Sequence, residues 1–236
     1  MADWRLQPAV RALSAATAAG AVLGLVVGGI GGRVAMGVLA SQNPEDAGVI
    51  SDDGFEMGRI SAGGTAQLLF STLQLGLVGG LIYLALRTLA IGPSWFRIAC
   101  LTAGGTVVLG AALIHQDGVD FTLLDPDWLP VVLFLAIPLV FIPAVALLIE
   151  RWLRPTSWFQ TAKIEKVAPL LAVWIFSGPL LVLPIVGLGL AYGVHTFAAE
   201  LSATARSVVA WLLRAGFGAL GVFALLALIG DIDAVT

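Results

Sequence analysis

Carboxylates are the residues best placed to do chemistry in this chain. Ser51-Asp52-Asp53-Gly54-Phe55-Glu56 echoes His115-Gln116-Asp117-Gly118-Val119-Asp120, with Asp-Gly and then an acid two residues on in both. The surrounding stretches, 41–62 and 115–128, each carry a net charge of −4 and together hold nine of the fifteen carboxylates. Focused negative potential gathers cations, and oxygen-rich clusters suit Ca²⁺ or Mg²⁺. Asp52, Asp53, Glu56, Asp117 and Asp120 are therefore candidate ligands for a cation or small polar solute. No EF-hand spacing is present, Asp-Gly is a common turn dipeptide, and a merely solvated acidic face would carry the same residues.

Arg33 is the natural counter-ion. It follows an apolar run directly, and a guanidinium at that depth either pairs with a carboxylate or snorkels to the interface. Asp52, Asp53 and Glu56 are its nearest acidic candidates. Gln67, Ser71 and Gln74 recur at helical spacing and predict a polar stripe facing the bundle interior or a wet cavity, since amides are costly in lipid. The stripe would line a solute path or join helices by hydrogen bonds. His115 and His195 fall at the ends of two apolar runs and could ligate a metal or haem iron. No P-loop, H-E-x-x-H, G-x-S-x-G or C-x-x-C motif occurs, so an enzyme has no support from motifs. Which cofactor, if any, the chain binds is not specified by these residues.

The elements that must position these groups follow from composition. The chain has 236 residues, 59% of them apolar and 11% charged, with mean hydropathy +0.99. Soluble domains are about 25% charged, so this is an integral membrane protein. Net charge −3 and a single cysteine, Cys100, exclude a nucleic-acid binder and a disulfide scaffold. A membrane helix needs about 20 apolar residues. Six spans are predicted, at 13–40, 64–88, 96–114, 129–150, 168–194 and 207–230, all in one transmembrane domain. The first run is too long for a cleaved signal sequence and reads as a retained helix. Basic residues concentrate beside the N-terminus, in 87–97 and in the linker 151–167, which predicts both termini on the cytoplasmic side of a plasma membrane. Loops 41–63 and 115–128 then lie outside. The Arg, Ala and Gly usage is consistent with a bacterial source.

Two features concern packing. Ala12, Ala16, Gly20, Gly24, Gly28 and Gly32 recur every four residues in the first span. Such a small-residue ridge permits close helix approach, within the bundle or in a homo-oligomer or membrane complex. Gly76 and Gly80, or Gly216, Gly218 and Gly221, are candidate partners for it. Prolines interrupt the fourth and fifth spans, and Ser177-Gly178-Pro179 is the expected bend of the fifth. The echo between the two Asp-Gly loops suggests that spans 1–2 and 3–4 are a parallel repeat.

The stretches Gly31-Gly32-Arg33-Val34-Ala35-Met36, Asp52-Asp53-Gly54-Phe55-Glu56 and Asp117-Gly118-Val119-Asp120-Phe121 resemble small multi-pass bacterial membrane proteins of no assigned activity. The resemblance covers at most the first four spans and implies only that Arg33 and the two loops belong together. Three functions fit the residues: a channel or transporter-like protein with an acidic outer mouth, a non-catalytic subunit or scaffold of a membrane complex, and a haem or metal redox subunit.

Overall fold

The computed structural model describes residues 6–51, 54–114, 118–197 and 202–235, apart from the side chains of 119, 120, 194–197 and 235. Among these the chain is an all-α bundle with six helices long and apolar enough to cross a membrane. They are α1 (Gln7–Gln42), α2 (Ala62–Leu86), α3 (Ser94–Leu113), α4 (Trp128–Trp152), α5 (Ile164–Gly193) and α6 (Ala203–Val235). Each of the six expected spans corresponds to one of these helices. Most extend a little beyond the apolar run because polar residues continue or cap the helix. Ser61, for example, accepts the Gly64 N–H at 3.0 Å and so starts α2 early.

The two ends of the bundle differ in charge. The end where α1 begins is basic; the end where α1 finishes holds the acidic loops. Half of the most apolar window of α1 is buried, against 6% for α3 and 11% for α6, so α1 is central and those two are peripheral.

The centre is held by backbone contact. A Cβ at Gly76 would overlap the Gly20 carbonyl oxygen, one at Gly24 would overlap the Thr72 carbonyl oxygen, and Gly80 lies against Ala16 in the same way. Residues 16 to 32 of α1 thus meet residues 80 to 68 of α2 in antiparallel order. In lipid there is little hydrophobic drive between helices, so attraction comes from close packing of this kind. Gly76 and Gly80 are the partners used, whereas Gly216, Gly218 and Gly221 have no neighbour within 4 Å.

A helical irregularity keeps the ridge on α2. A four-residue repeat drifts about 40° per step around an α-helix, so it leaves a facing helix within a few steps. Gly24–Ile30 is π-helical, and its wider turn reverses that drift. Gly28, Gly29 and Gly32 consequently still face Thr72, Leu69 and Leu68.

The remaining helices build outward from this pair. Val145, Ala146 and Ile149 of α4 bury against Ala16, Ala19 and Tyr83. α3 packs on α4 through side chains rather than backbone, with Ile142 over Gly105 and Leu135 over Gly110. Spans 1–2 and 3–4 are thus both hairpins, but their seams differ.

The direction of α6 departs from expectation. Near the basic end, Arg214 Nε donates to the Leu89 carbonyl at 2.9 Å. At the acidic end, Leu228 and Ile232 pack with Ile114, Phe121 and Val131. α6 therefore runs parallel to α3, and residue 233 lies at the opposite end from residue 7. Six crossings would return the C-terminus to the side of the N-terminus, whereas α5, interrupted at Gly178, is followed by an α6 that starts near the basic end. Val167 is buried with Ala15 and Phe159 near the basic end, and α6 starts from that end too. Residues 197 and 203 are six peptide steps apart, a reach of about 22 Å at most. The chain turns within α5 at the expected triplet, where Gly178 has φ 57 and ψ −126 inside an otherwise helical run. Only glycine enters that region readily.

Replacing Gly76 with Leu is expected to force α1 and α2 apart and lower stability by at least about 1–3 kcal/mol, the usual cost of overpacking. Gly218→Leu, with open space around it, is the control. Thermal unfolding followed by tryptophan fluorescence in detergent separates the two, and equal melting temperatures would refute the seam.

Candidate functional site

The acidic end is shaped by one amide. Asn43 is 1% exposed; its Nδ2 donates to the Leu39 carbonyl at 3.0 Å, and its Oδ1 accepts the Asp125 N–H at 2.7 Å. Both halves of the amide are therefore satisfied, and the end of α1 is tied to the loop before α4. The loop from 43 to 61 then folds back on itself through an antiparallel bridge between Ile50 and Glu56. Gly54 turns this loop with φ 79, and Phe55 N–H is held by Ser51 Oγ at 3.2 Å.

Under this loop lies a cavity of about 390 Å³, lined by Arg33, Phe55, Glu56, Arg59, Ser61 and Gln67 among others. Arg33 rises from α1 and its Cζ sits 5.7 Å from the centre of the Phe55 ring. Its Nε and Nη2 are buried and have no hydrogen-bond partner among the described residues. Glu56 does not pair with Arg33 as expected. Arg59, three residues on in the same turn, takes it instead through Nη1 at 2.9 Å, because the sequence-local partner needs no chain closure. That pair is exposed and adds little stability.

The other sequence-derived candidates divide as follows. Gln67 reaches the cavity, so Arg33, Glu56 and Gln67 are brought together. Ser71 is exposed and Gln74 half-buried, so the stripe does not turn inward. The face of α2 that meets α1 carries Leu68, Thr72, Gly76 and Gly80 instead, because a seam of touching backbones leaves no room for amides. Asp52, Asp53, His115 and Asp117 lie outside the described residues, as do the side chains of Asp120 and His195. Among the described residues no group of three or more His, Cys, Asp or Glu could hold a metal ion. Of the glycine ridge, Gly20, Gly24, Gly28 and Gly32 all lie along α2, with the contact loosest at Gly32.

The basic end contains a charge cluster that hydropathy did not reveal. Arg87 Nε and Nη2 donate to the two Glu150 oxygens at 2.8 and 2.9 Å, and the Tyr83 hydroxyl donates to Oε1 at 2.9 Å. Donating to Glu150 pushes the Arg87 guanidinium above its ordinary pKa range. This forked pair locks the end of α2 to the end of α4. Arg87 and Glu150 both terminate spans that end on one side, and that signal was available in the sequence. Arg214 caps the Leu89 carbonyl and stacks at 5.0 Å on Trp211. Arg11 Nη1 donates to the Phe159 carbonyl at 2.7 Å, tying α1 to the 151–167 linker.

The chain matches no family model, no curated protein and no solved structure.

The Arg87–Glu150 pair is 29% and 27% exposed on its two sides. Glu150→Gln is expected to cost about 1–3 kcal/mol, since it leaves a partly buried guanidinium without its anion. The double variant Glu150→Gln with Arg87→Leu is expected to be less destabilised than the sum of the singles. Additive melting shifts in that cycle would mean the two groups do not interact.

Proposed function

We propose that this integral membrane protein is a non-catalytic structural subunit of the cytoplasmic membrane rather than a conduit for ions. The observation that carries this reading is the closed seam between α1 and α2. The helix with the most buried surface meets its neighbour backbone to backbone, and a path down the bundle would have to part them. The five residues expected to form a cation mouth lend that alternative little support. Glu56, the one whose side chain is described, is neutralised by Arg59, and the cavity beside it is lined by two guanidinium groups.

The charge distribution supports an orientation. Of the eleven described Arg and Lys residues, nine sit toward the basic end; only Arg33 and Arg59 lie at the other. The reversed α6 contributes to this by bringing Arg206 and Arg214 to the basic end. Cytoplasmic loops are enriched in Arg and Lys, so the basic end faces the cytoplasm and the C-terminus faces outward. α3 and α6 leave most of their surface to lipid or to a neighbouring subunit.

Two measurements test this. Proteoliposomes containing the chain are expected to pass Na⁺ and K⁺ no faster than protein-free vesicles; a flux removed by Glu56→Gln would restore the channel reading. In intact cells, on a Cys100→Ser background, Ala234→Cys is expected to react with a membrane-impermeant maleimide and Ser94→Cys only after permeabilisation. Labelling of both from the same side would refute the orientation.

A further inference from the structure

The cavity at the acidic end has a chemistry opposite to that of the loops around it. Two guanidinium groups and one carboxylate line it, and the carboxylate is already held by Arg59. Arg33 remains, with Nε and Nη2 both buried and both without a partner among the described residues. A buried guanidinium nitrogen without an acceptor is costly. It persists where something else supplies the acceptor.

The surroundings fit an oxyanion. Arg33 Nη2 lies beside the first turn of α2: a Cβ added at Gly64 would sit 3.4 Å from it and 3.1 Å from Ser61 Oγ. Glycine at 64 thus leaves room for the guanidinium against the first turn of α2. The first turn of this 25-residue helix, whose N-terminus carries partial positive charge and whose Gly64 N–H is capped by Ser61 Oγ, lies beside the same place. Gln67, one turn further along α2, adds an amide donor at the wall. The Phe55 ring lies over the guanidinium, its centre 5.7 Å from Arg33 Cζ. An arginine fork beside a helix N-terminus matches the geometry of a phosphate group, whose oxygens accept several donors at once. The volume, about 390 Å³, exceeds that of one phosphate and leaves room for a small polar group attached to it.

We propose that this cavity is a binding site for a phosphate-bearing ligand, held by Arg33 and the α2 N-terminus. The phosphate comes either from a lipid headgroup, which lies at this depth when the helices span a bilayer, or from a free anion in solution. The site stands whether or not the chain conducts ions, since it does not depend on the α1–α2 seam opening.

The test is ligand-dependent thermal stabilisation of the full chain in a maltoside detergent, which carries no phosphate. Inorganic phosphate and short-chain phosphatidylglycerol are titrated separately, with sodium chloride at matched ionic strength as the reference. A saturable rise in melting temperature with either probe is expected, and the probe that produces it identifies the source. Arg33→Gln is expected to abolish the rise. Arg33→Lys, which keeps the charge and loses the fork, is expected to weaken apparent affinity at least tenfold, and it serves if Arg33→Gln does not fold. Gln67→Leu is expected to weaken binding by a smaller factor. Absence of stabilisation by both probes overturns the proposal, and so does an unchanged response in the Arg33 variants. Stabilisation that appears only in Asp52→Asn/Asp53→Asn would also overturn it, because it would mean that the loop's own carboxylates occupy the site.

Discussion

Everything else in this bundle is arranged around two backbones in contact. α1 and α2 approach until a Cβ on one would collide with a carbonyl on the other, and this contact takes the place of a hydrophobic core. The bilayer is as apolar as any side chain, so burying leucines gains little; removing side chains altogether gains close dispersion contacts over a long seam. The cost is flexibility in the glycines. The bundle offsets it by supporting the seam on a third side with Val145, Ala146 and Ile149 of α4, and by clamping the basic end with the Tyr83–Glu150–Arg87 cluster.

The seam also decides where polar groups can go. With the centre filled by backbone, amides and charges are displaced to the two ends. At the basic end they satisfy one another: Arg87 with Glu150, Arg11 with a linker carbonyl, Arg214 with the carbonyl of Leu89. At the acidic end Asn43 ties two loops together, but Arg33, which lines a cavity, has two buried nitrogens with no partner among the described residues. The two ends therefore differ in kind. One is a closed set of internal bonds, and the other is a polar pocket with unused donors.

Several parts of this were legible in the sequence because they depend on short-range pattern. Span positions follow from runs of apolar residues, the small-residue ridge from its four-residue period, and the α5 bend from a Ser-Gly-Pro triplet whose glycine adopts positive φ. Arg33 stood out because a charge beside an apolar run is rare. The pairing of that charge was not legible, since Glu56 had a nearer cation three residues away. The polar stripe on α2 was only partly legible for a related reason: Gln67 lines the cavity, whereas Ser71 is exposed. Helical spacing shows that Gln67, Ser71 and Gln74 share a face, but not which face of α2 the neighbouring helix takes.

By itself the sequence determined that the chain lives in a membrane, how many helices it has and which residues let two of them touch. These are properties of composition and local period, which act within one or two turns of helix. Only the tertiary structure decided the direction of α6, the π-helical turn that keeps the ridge aligned and the meeting of Arg33 with the start of α2. Each of these depends on contacts between residues far apart in the chain: Arg214 with Leu89, Gly28 with Thr72, Arg33 with the first turn at Gly64. Hydropathy counts crossings on the assumption that every apolar run traverses the bilayer. A glycine at φ 57 interrupts one of them at residue 178, and no average over a window contains that information.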